Sequence, residues 1–226
     1  DDAIAANGSG FLDKIRYYSL DAYPDRFLIE SQRELNSLTY PIDLRLDAPR
    51  LPALKDTIPE QGIIGLKSAK GTGKSWQIKE IIRKTEAEGK TVISIVPRVA
   101  LGRSQATEWG INWIEDLGTI GQGHSVGLCW DSLQKIVHLD WSGKTIIIDE
   151  SELGIEHLLS SSTCKDKRPK LLRIFQEKIR ECLSGGGRVI LADADITDIS
   201  LGYLKGIYPE APQYIIQNDA PPALWK

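Results

Sequence analysis

The chain has 226 residues, of which 41% are hydrophobic and 26% are charged, and its formal net charge is -3. This acidic balance excludes a uniformly basic coat for nucleic acid, although it is compatible with a local cationic strip. No apolar run approaches the roughly 20 residues that span a bilayer, and no signal peptide is recognisable, so we expect no membrane segment.

The first 50 residues carry weak signals. Residues 1–10 are small and polar, so we expect them to be flexible. The sequence does not begin with methionine and contains none, so we expect a piece cut from a longer protein. The helical periodicity that follows is interrupted by Pro24. The segment "APRLPALKDTIPEQ" reads as an extended connector. We therefore predict a partly flexible N-terminal arm over residues 1–50 and one lobe over residues 51–226.

Apolar periodicity becomes clear from Gly62 onward. "GIIGLKS" predicts a buried strand, and isoleucines at helical spacing predict a helix over Ser75–Glu88 that ends at Gly89. "TVISIV" at 91–96 predicts a second strand, which a helix over Arg98–Trp109 follows. The apolar "HSVGLCW" and the helical-looking "DSLQKIV" come next.

The second half repeats the alternation of strands and helices. "KTIIIDES" at 144–151 is an unbroken apolar strand of the kind that is buried on both faces. "SELGIEHLLSSSTCKDKR" has no clear assignment, whereas the residues before "SGGG" recur at helical spacing. "RVILADAD" predicts a strand, "ITDISLGYLKGIY" a helix and "PQYIIQN" a final strand. The alternation predicts an α/β domain with a mostly parallel sheet.

The stretch "LKSAKGTGKSW" nearly matches the phosphate-binding pattern G-x-x-x-x-G-K-[ST], with Ser68 at the place of the first glycine. In that pattern backbone amides surround phosphate oxygens, the lysine reaches the β and γ phosphates, and the hydroxyl binds magnesium. A glycine-rich surface turn is the alternative. We expect Ser68 to leave the strand without a positive φ. The predicted ATP-binding residues are Ala69, Lys70, Gly71, Thr72, Gly73, Lys74 and Ser75.

Acidic residues follow two of the predicted strands. Asp149 is the predicted magnesium-side carboxylate, with Ser75 as the second magnesium residue, and Glu150 is predicted to activate the attacking water. The predicted catalytic set is Lys74, Asp149 and Glu150, although for the acidic pair a solvated turn or helix start is the alternative. Asp193 and Asp195 are predicted to couple the γ phosphate to motion of the lobe. For Asp195, a helix N-cap is the alternative.

The motifs "SAKGTGKS", "VISIVPRVAL", "LCWDSLQKI", "TIIIDES" and "VILADADITD" occur in this order. Together they resemble the first RecA-like lobe of superfamily 2 helicases, over about residues 50–217. More narrowly, they are similar to the helicase region of cyanobacterial plasmid replication proteins and viral origin-binding proteins. The resemblance implies a P-loop NTPase fold with three α/β/α layers, and binding of ATP and Mg²⁺.

The same resemblance implies partners and further site residues. Arg98 would contact the backbone of single-stranded or forked DNA, with Asp131 and Ser132 on the same side, although an exposed arginine at a helix start is the alternative. A second RecA-like lobe would supply the arginine that stabilises the transition state. Because we expect that lobe to be absent from these 226 residues, we expect ATP binding with slow hydrolysis by this chain.

Two other functions fit the loop. A small-molecule kinase would use the same loop, but we see no arginine-rich lid segment, and an adjacent Asp-Glu pair suits water activation better than acceptor binding. A non-catalytic, nucleotide-dependent interaction module is the second alternative. The cysteines and histidines lack the close spacing of disulfide frameworks or zinc sites, so we expect a reducing, cytoplasmic setting.

Overall fold

The centre of the fold is an eight-stranded parallel sheet, seen in a computed structural model that describes residues 38–222. Along the sheet the strands follow the order β1-β8-β2-β7-β6-β3-β5-β4, and every neighbouring pair is parallel. The strands are β1 (Leu44–Leu46), β2 (Gly62–Ser68), β3 (Val92–Val96), β4 (Asn112–Trp113), β5 (Val126–Cys129), β6 (Thr145–Asp149), β7 (Arg188–Asp193) and β8 (Gln213–Asn218).

Helices cover both faces of this sheet. They are α1 (Lys74–Ala87), α2 (Val99–Trp109), α3 (Ser151–Ser160), α4 (Arg168–Ser184) and α5 (Asp198–Ile207). One buried cluster joins α1 and α2 to one face of the sheet, and a second joins α3, α4 and α5 to the other. The predicted α/β class is confirmed: three layers, a parallel sheet, and a loop between β2 and α1, as in a RecA-like lobe.

The strand order brings the ends of the acidic strands near the loop. The loop follows β2, β7 pairs with β2, and β6 pairs with β7. Lys67 lies opposite Asp193 in the register, and Asp149 lies opposite Ala192. Because the carboxyl ends of parallel strands meet at one edge, the loop and both acidic strand ends share that edge.

Some elements differ from the sequence-based expectations. The stretch "DSLQKIV" is not an α-helix, since a 3₁₀ segment covers Trp130–Ile136. The unassigned "SELGIEHLLS" forms α3, and 3₁₀ turns follow it over Ser162–Lys167. β1 falls within the predicted arm and pairs with β8 at the sheet edge. Residues 1–37 of that arm lie outside the described residues, and the division at residue 50 stays a prediction.

Helix α2 lies unusually close to the sheet at Gly102. A Cβ added there would be 2.4 Å from the Trp113 ring and 2.6 Å from a methyl carbon of Val96. Gly127 of β5 is close to the same ring, since an added Cβ there would be 3.2 Å from Trp113. The two glycines therefore make room for a buried tryptophan between α2 and β5.

We expect Gly102→Ala to destabilise the fold by about 1 to 2 kcal/mol, because overpacking of the Trp113 contact by about 2 to 3 kcal/mol outweighs the gain of about 1 kcal/mol in helix propensity. Thermal unfolding would show this as a midpoint lower by at least about 2 °C. Gly118→Ala is the matched control, since an added Cβ at Gly118 meets nothing within 4 Å. Equal midpoints for the two variants would contradict the expectation.

No helix in the described part of the chain is long and apolar enough to cross a membrane.

Candidate nucleotide site

The loop between β2 and α1 curls around the ammonium group of Lys74. Gly71 and Gly73 have φ values of 81° and 94°, a conformation that glycine adopts without steric cost. The Lys74 Nζ donates to the carbonyl of Ser68 at 2.6 Å and to that of Ala69 at 3.1 Å. The loop thus has the tight curl and the inward lysine expected of a phosphate cradle.

The Ser68 hydroxyl has two hydrogen-bond partners, one in the loop and one in β8. Its hydroxyl lies 2.7 Å from the Thr72 hydroxyl and accepts a hydrogen bond from the Asn218 amide at 3.0 Å. That amide group also pairs with the backbone of Ala48 in both directions, at 2.9 Å each. Ser68 has no positive φ, as predicted. The serine therefore ties the loop to β8 and to the segment before β2.

The acidic residues surround Lys74 from the neighbouring strands. Burial lowers the pKa of Lys74, and three carboxylates oppose this decrease, those of Asp149, Glu150 and Asp193. Burial also raises the pKa of Asp149 to about 6, and the charge of Glu150 adds to the rise. The structure thus brings together the predicted catalytic set and Asp193.

Glu150 has an unusual backbone. Its φ and ψ of 52° and 54° place it in the left-handed region at the N-cap of α3, and it is the one non-glycine residue among 38–222 with a positive φ. Such a conformation carries strain for an L-residue. The left-handed conformation of Glu150 makes the sharp turn between β6 and α3, directly after Asp149.

Gln105 of α2 was not predicted as a site residue. It is 7% exposed, and its Nε2 donates a close hydrogen bond to the Asp149 carboxylate. This contact opposes the rise in the pKa of Asp149. The residues are 44 positions apart, so no local sequence signal joins them.

A second unpredicted residue, Glu152, links α3 to the segment after β7. It accepts hydrogen bonds from the backbone of Thr197 at 2.9 Å and from the Ser200 hydroxyl at 2.5 Å. Asp193 accepts from the backbone amides of Glu152 and Asp195, at 3.0 and 3.1 Å. Asp195 itself is exposed, and the N-cap of α5 is Thr197, so the N-cap alternative for Asp195 is wrong.

Burial raises the pKa of Glu152 from 4.5 to about 7, so the folded chain keeps a proton that the unfolded chain loses between these pH values. Stability should therefore fall as the pH rises through this window. Glu152→Gln keeps an oxygen for Thr197 and Ser200 but cannot ionise. We expect the variant to reduce the pH-dependent loss of unfolding free energy by roughly 1 to 3 kcal/mol, measured by urea unfolding. If the unfolding free energies of both proteins fell equally with pH, this expectation would be contradicted.

The predicted nucleic-acid residues lie beyond β3 and β5. Arg98 is exposed at the N-cap of α2. Burial lowers the pKa of His157 on α3, with the charge of Asp131 opposing and that of Arg98 adding to this decrease, so both charges lie near the imidazole. Ser132 donates to Glu115 at 3.3 Å. Arg98 and Asp131 are thus brought to one region, while Ser132 is engaged with a carboxylate.

A run of cationic side chains follows α3 and consists of Lys165, Lys167, Arg168, Lys170 and Arg173, and the structure gives its members different environments. Arg168 is buried and donates to the carbonyls of Leu158 and Ser161, at 3.0 and 2.6 Å. These contacts give Arg168 a structural role in joining α3 to α4. The other members are exposed, namely Lys165, Lys167, Lys170 and Arg173.

The donor set around the loop suits a magnesium ion that is held mainly by phosphates and water. Among the residues that the structure describes, no three His, Cys, Asp or Glu side chains group into a metal cage. Mg²⁺ commonly binds through one or two protein oxygens plus substrate phosphates. A buried carboxylate at Asp149, and the Ser75 hydroxyl in the first turn of α1, fit this chemistry.

No protein-family model matches the chain. An uncharacterized protein of Picosynechococcus sp. is 32% identical over 200 residues, which cover 84% of this chain and 20% of that protein. The chain therefore spans about a fifth of the length of this relative.

Several solved structures are similar in part of the fold. S. cerevisiae Dbp5 bound to Gle1 and IP6 has a TM-score of 0.48 at 17% identity, covering 74% of this chain and 44% of Dbp5. The helicase MrfA bound to DNA and AMPPNP has a TM-score of 0.48 at 17% identity, covering 71% of this chain and 25% of MrfA. The SWI2/SNF2 ATPase core of Sulfolobus solfataricus in complex with dsDNA has a TM-score of 0.43 at 16% identity, covering 66% of this chain and 32% of that ATPase core. At such scores the likeness carries no functional assignment.

Proposed function

We propose that residues 51–226 are the ATP-binding and ATP-hydrolysing lobe of a DNA helicase, preceded by an arm over residues 1–50. The observation that carries this proposal is the meeting of Lys74 with Asp149 and Glu150 at one sheet edge, beside a loop that curls at Gly71 and Gly73. A lysine held inside a glycine-containing loop before a helix N-terminus, with acids from the neighbouring strand ends beside it, suits a magnesium-bound nucleoside triphosphate better than a neutral ligand.

Each residue of the site has a distinct role in this proposal. The backbone amides of residues 69–75 bind phosphate oxygens, and Lys74 neutralises their charge. Ser75 and Asp149 hold Mg²⁺, which when bound neutralises charge on the phosphates. Glu150 orients the attacking water and accepts its proton.

Coupling and nucleic-acid binding complete the proposal. Asp193 and Asp195 couple the site to motion of the lobe, which the hydrogen bonds between Asp193, Glu152 and Thr197 support. Single-stranded or forked DNA binds at Arg98, with Asp131 and Ser132 nearby. A second RecA-like lobe is the proposed partner that supplies the transition-state arginine.

The proposed setting is replication of the plasmid or viral type, in the cytoplasm. It rests on the order of the five motifs and on their resemblance to plasmid replication and origin-binding proteins. The exposed Arg98 beside the nucleotide edge supports a nucleic-acid substrate, since it presents a cation that nothing buries.

An ATPase assay with product analysis tests the function. We expect the chain to bind ATP, to release free phosphate slowly, and to respond to single-stranded DNA. A phosphorylated small-molecule acceptor would identify a kinase instead. Binding without any phosphate release, even with DNA and excess protein, would favour the interaction module, and brisk turnover by the chain alone would contradict the need for a second lobe.

A further inference from the structure

Gln105 connects α2, the helix whose N-cap is Arg98, to the carboxylate of Asp149. Arg98, the N-cap of α2, and Gln105 within the helix are seven positions apart, or about 10 Å along the helix axis at 1.5 Å per residue. Arg98 is exposed at the start of the helix, whereas Gln105 is buried against the end of β6. One rigid element therefore spans from the exposed cation to the nucleotide site.

The hydrogen bonds of the Gln105 amide are incomplete. Its Nε2 donates to Asp149, but its Oε1 is buried without a partner among the residues that the structure describes. A buried acceptor without a donor is unfavourable, and a leucine of similar size would avoid that cost. The contact with Asp149 therefore explains why a glutamine stands at this position. When the site is filled, a donor such as a water molecule bound to a cation would complete the hydrogen bonds of its oxygen.

The packing of α2 makes it a stiff connection. Gly102, between Arg98 and Gln105, lies so close to Trp113 that even a methyl group would clash. Close-packed contacts of this kind move as a unit and do not deform gradually. A shift of α2 at its first turn is thus carried to the Gln105 amide, and through it to Asp149.

We propose that Gln105 is a positioning residue that fixes the Asp149 carboxylate and transmits to it the occupation of the Arg98 region by single-stranded DNA. The inference rests on the proposed function, because it requires magnesium-bound nucleotide at Asp149 and DNA near Arg98. It adds a residue and a route that the motifs do not include.

The first test is a double-mutant cycle on the 226-residue chain with Gln105→Leu and Asp149→Asn. A fluorescent ATP analogue is titrated with excess Mg²⁺ and again with excess EDTA. We expect Gln105→Leu to weaken the magnesium-dependent affinity by about 10- to 100-fold, the usual range for a lost partner of a metal-binding side chain. With EDTA, or in the Asp149→Asn background, its effect should be within about twofold.

The second test measures how single-stranded DNA changes nucleotide affinity. Oligothymidine is added at saturation. The nucleotide dissociation constant without DNA is divided by that with DNA, and this ratio is compared between proteins. We expect a ratio of about 5 or more for the unaltered chain and close to 1 for Gln105→Leu, while the DNA affinity without nucleotide stays unchanged. Gln61→Leu, at an exposed glutamine on the opposite edge of the sheet, is the matched control.

The outcomes separate the inference from the proposed function. If the unaltered chain binds nucleotide but Gln105→Leu keeps its magnesium dependence and its response to DNA, the inference is overturned alone. Equal weakening with Mg²⁺ and with EDTA also overturns it, since that result indicates a structural role. If the unaltered chain binds no nucleotide, the proposed function falls, and the inference with it. Gln105→Asn, whose shorter amide cannot reach Asp149, replaces Gln105→Leu if that variant does not fold.

Discussion

Replacing Lys74 with alanine is expected to weaken nucleotide binding by at least about 30-fold. Two of the opposing carboxylates, Asp149 and Asp193, are buried. Removing the partner of a buried charge costs about 2 to 5 kcal/mol, and each 1.4 kcal/mol is a factor of ten in affinity. Without Lys74, the carboxylates of Asp149, Glu150 and Asp193 lose the nearby cation that offsets them. They would then repel the phosphates.

Titration with a fluorescent ATP analogue measures this effect. Lys79→Ala, which removes a partly exposed lysine from the same helix, is the control and should bind within about twofold of the unaltered chain. Thermal unfolding shows whether Lys74→Ala still folds, because the two hydrogen bonds from its Nζ to the loop are lost. A Lys74→Ala protein that folds and binds nucleotide within about threefold of the unaltered chain would remove the basis of the proposed site.

Local signals in the sequence predicted much of this site. The strand predicted from "GIIGLKS" is β2 over Gly62–Ser68, and the apolar run before Asp149 is β6. Both succeed because a buried parallel strand is a continuous apolar run with turn residues at its end. Placing Lys74 near the acids then needed only the rule that such strands end at one edge.

Contacts between distant parts of the chain lay beyond such reasoning. β1 has three residues, and its partner β8 lies about 170 positions later, so no local periodicity marks it. The Asn218 contact with Ser68 joins residues 150 positions apart. The sequence indicated only that a small side chain suffices at Ser68, whereas the structure gives its hydroxyl two partners. Those partners become neighbours only once the sheet order is fixed.

Glu150→Gln is expected to slow phosphate release by about 100-fold or more while nucleotide affinity stays within about threefold. A positioned general base contributes about 10² to 10⁴ in rate, and an amide of the same shape cannot accept the proton. Single-turnover hydrolysis with protein in excess measures the chemical step even if turnover is slow. Glu156→Gln, at an exposed position on the same helix, should leave both quantities unchanged.

The backbone of Glu150 gives independent support for this expectation. A positive φ costs an L-residue roughly 1 to 2 kcal/mol, and glycine would avoid that strain. A glutamate at φ 52° is therefore a poor choice for stability alone, which supports the proposed role of its side chain in hydrolysis. Glu150→Gly should accordingly fold at least as stably as the unaltered chain and lose the same hydrolysis as Glu150→Gln. A Glu150→Gly protein that keeps full hydrolysis would show that only the turn between β6 and α3 matters at this position.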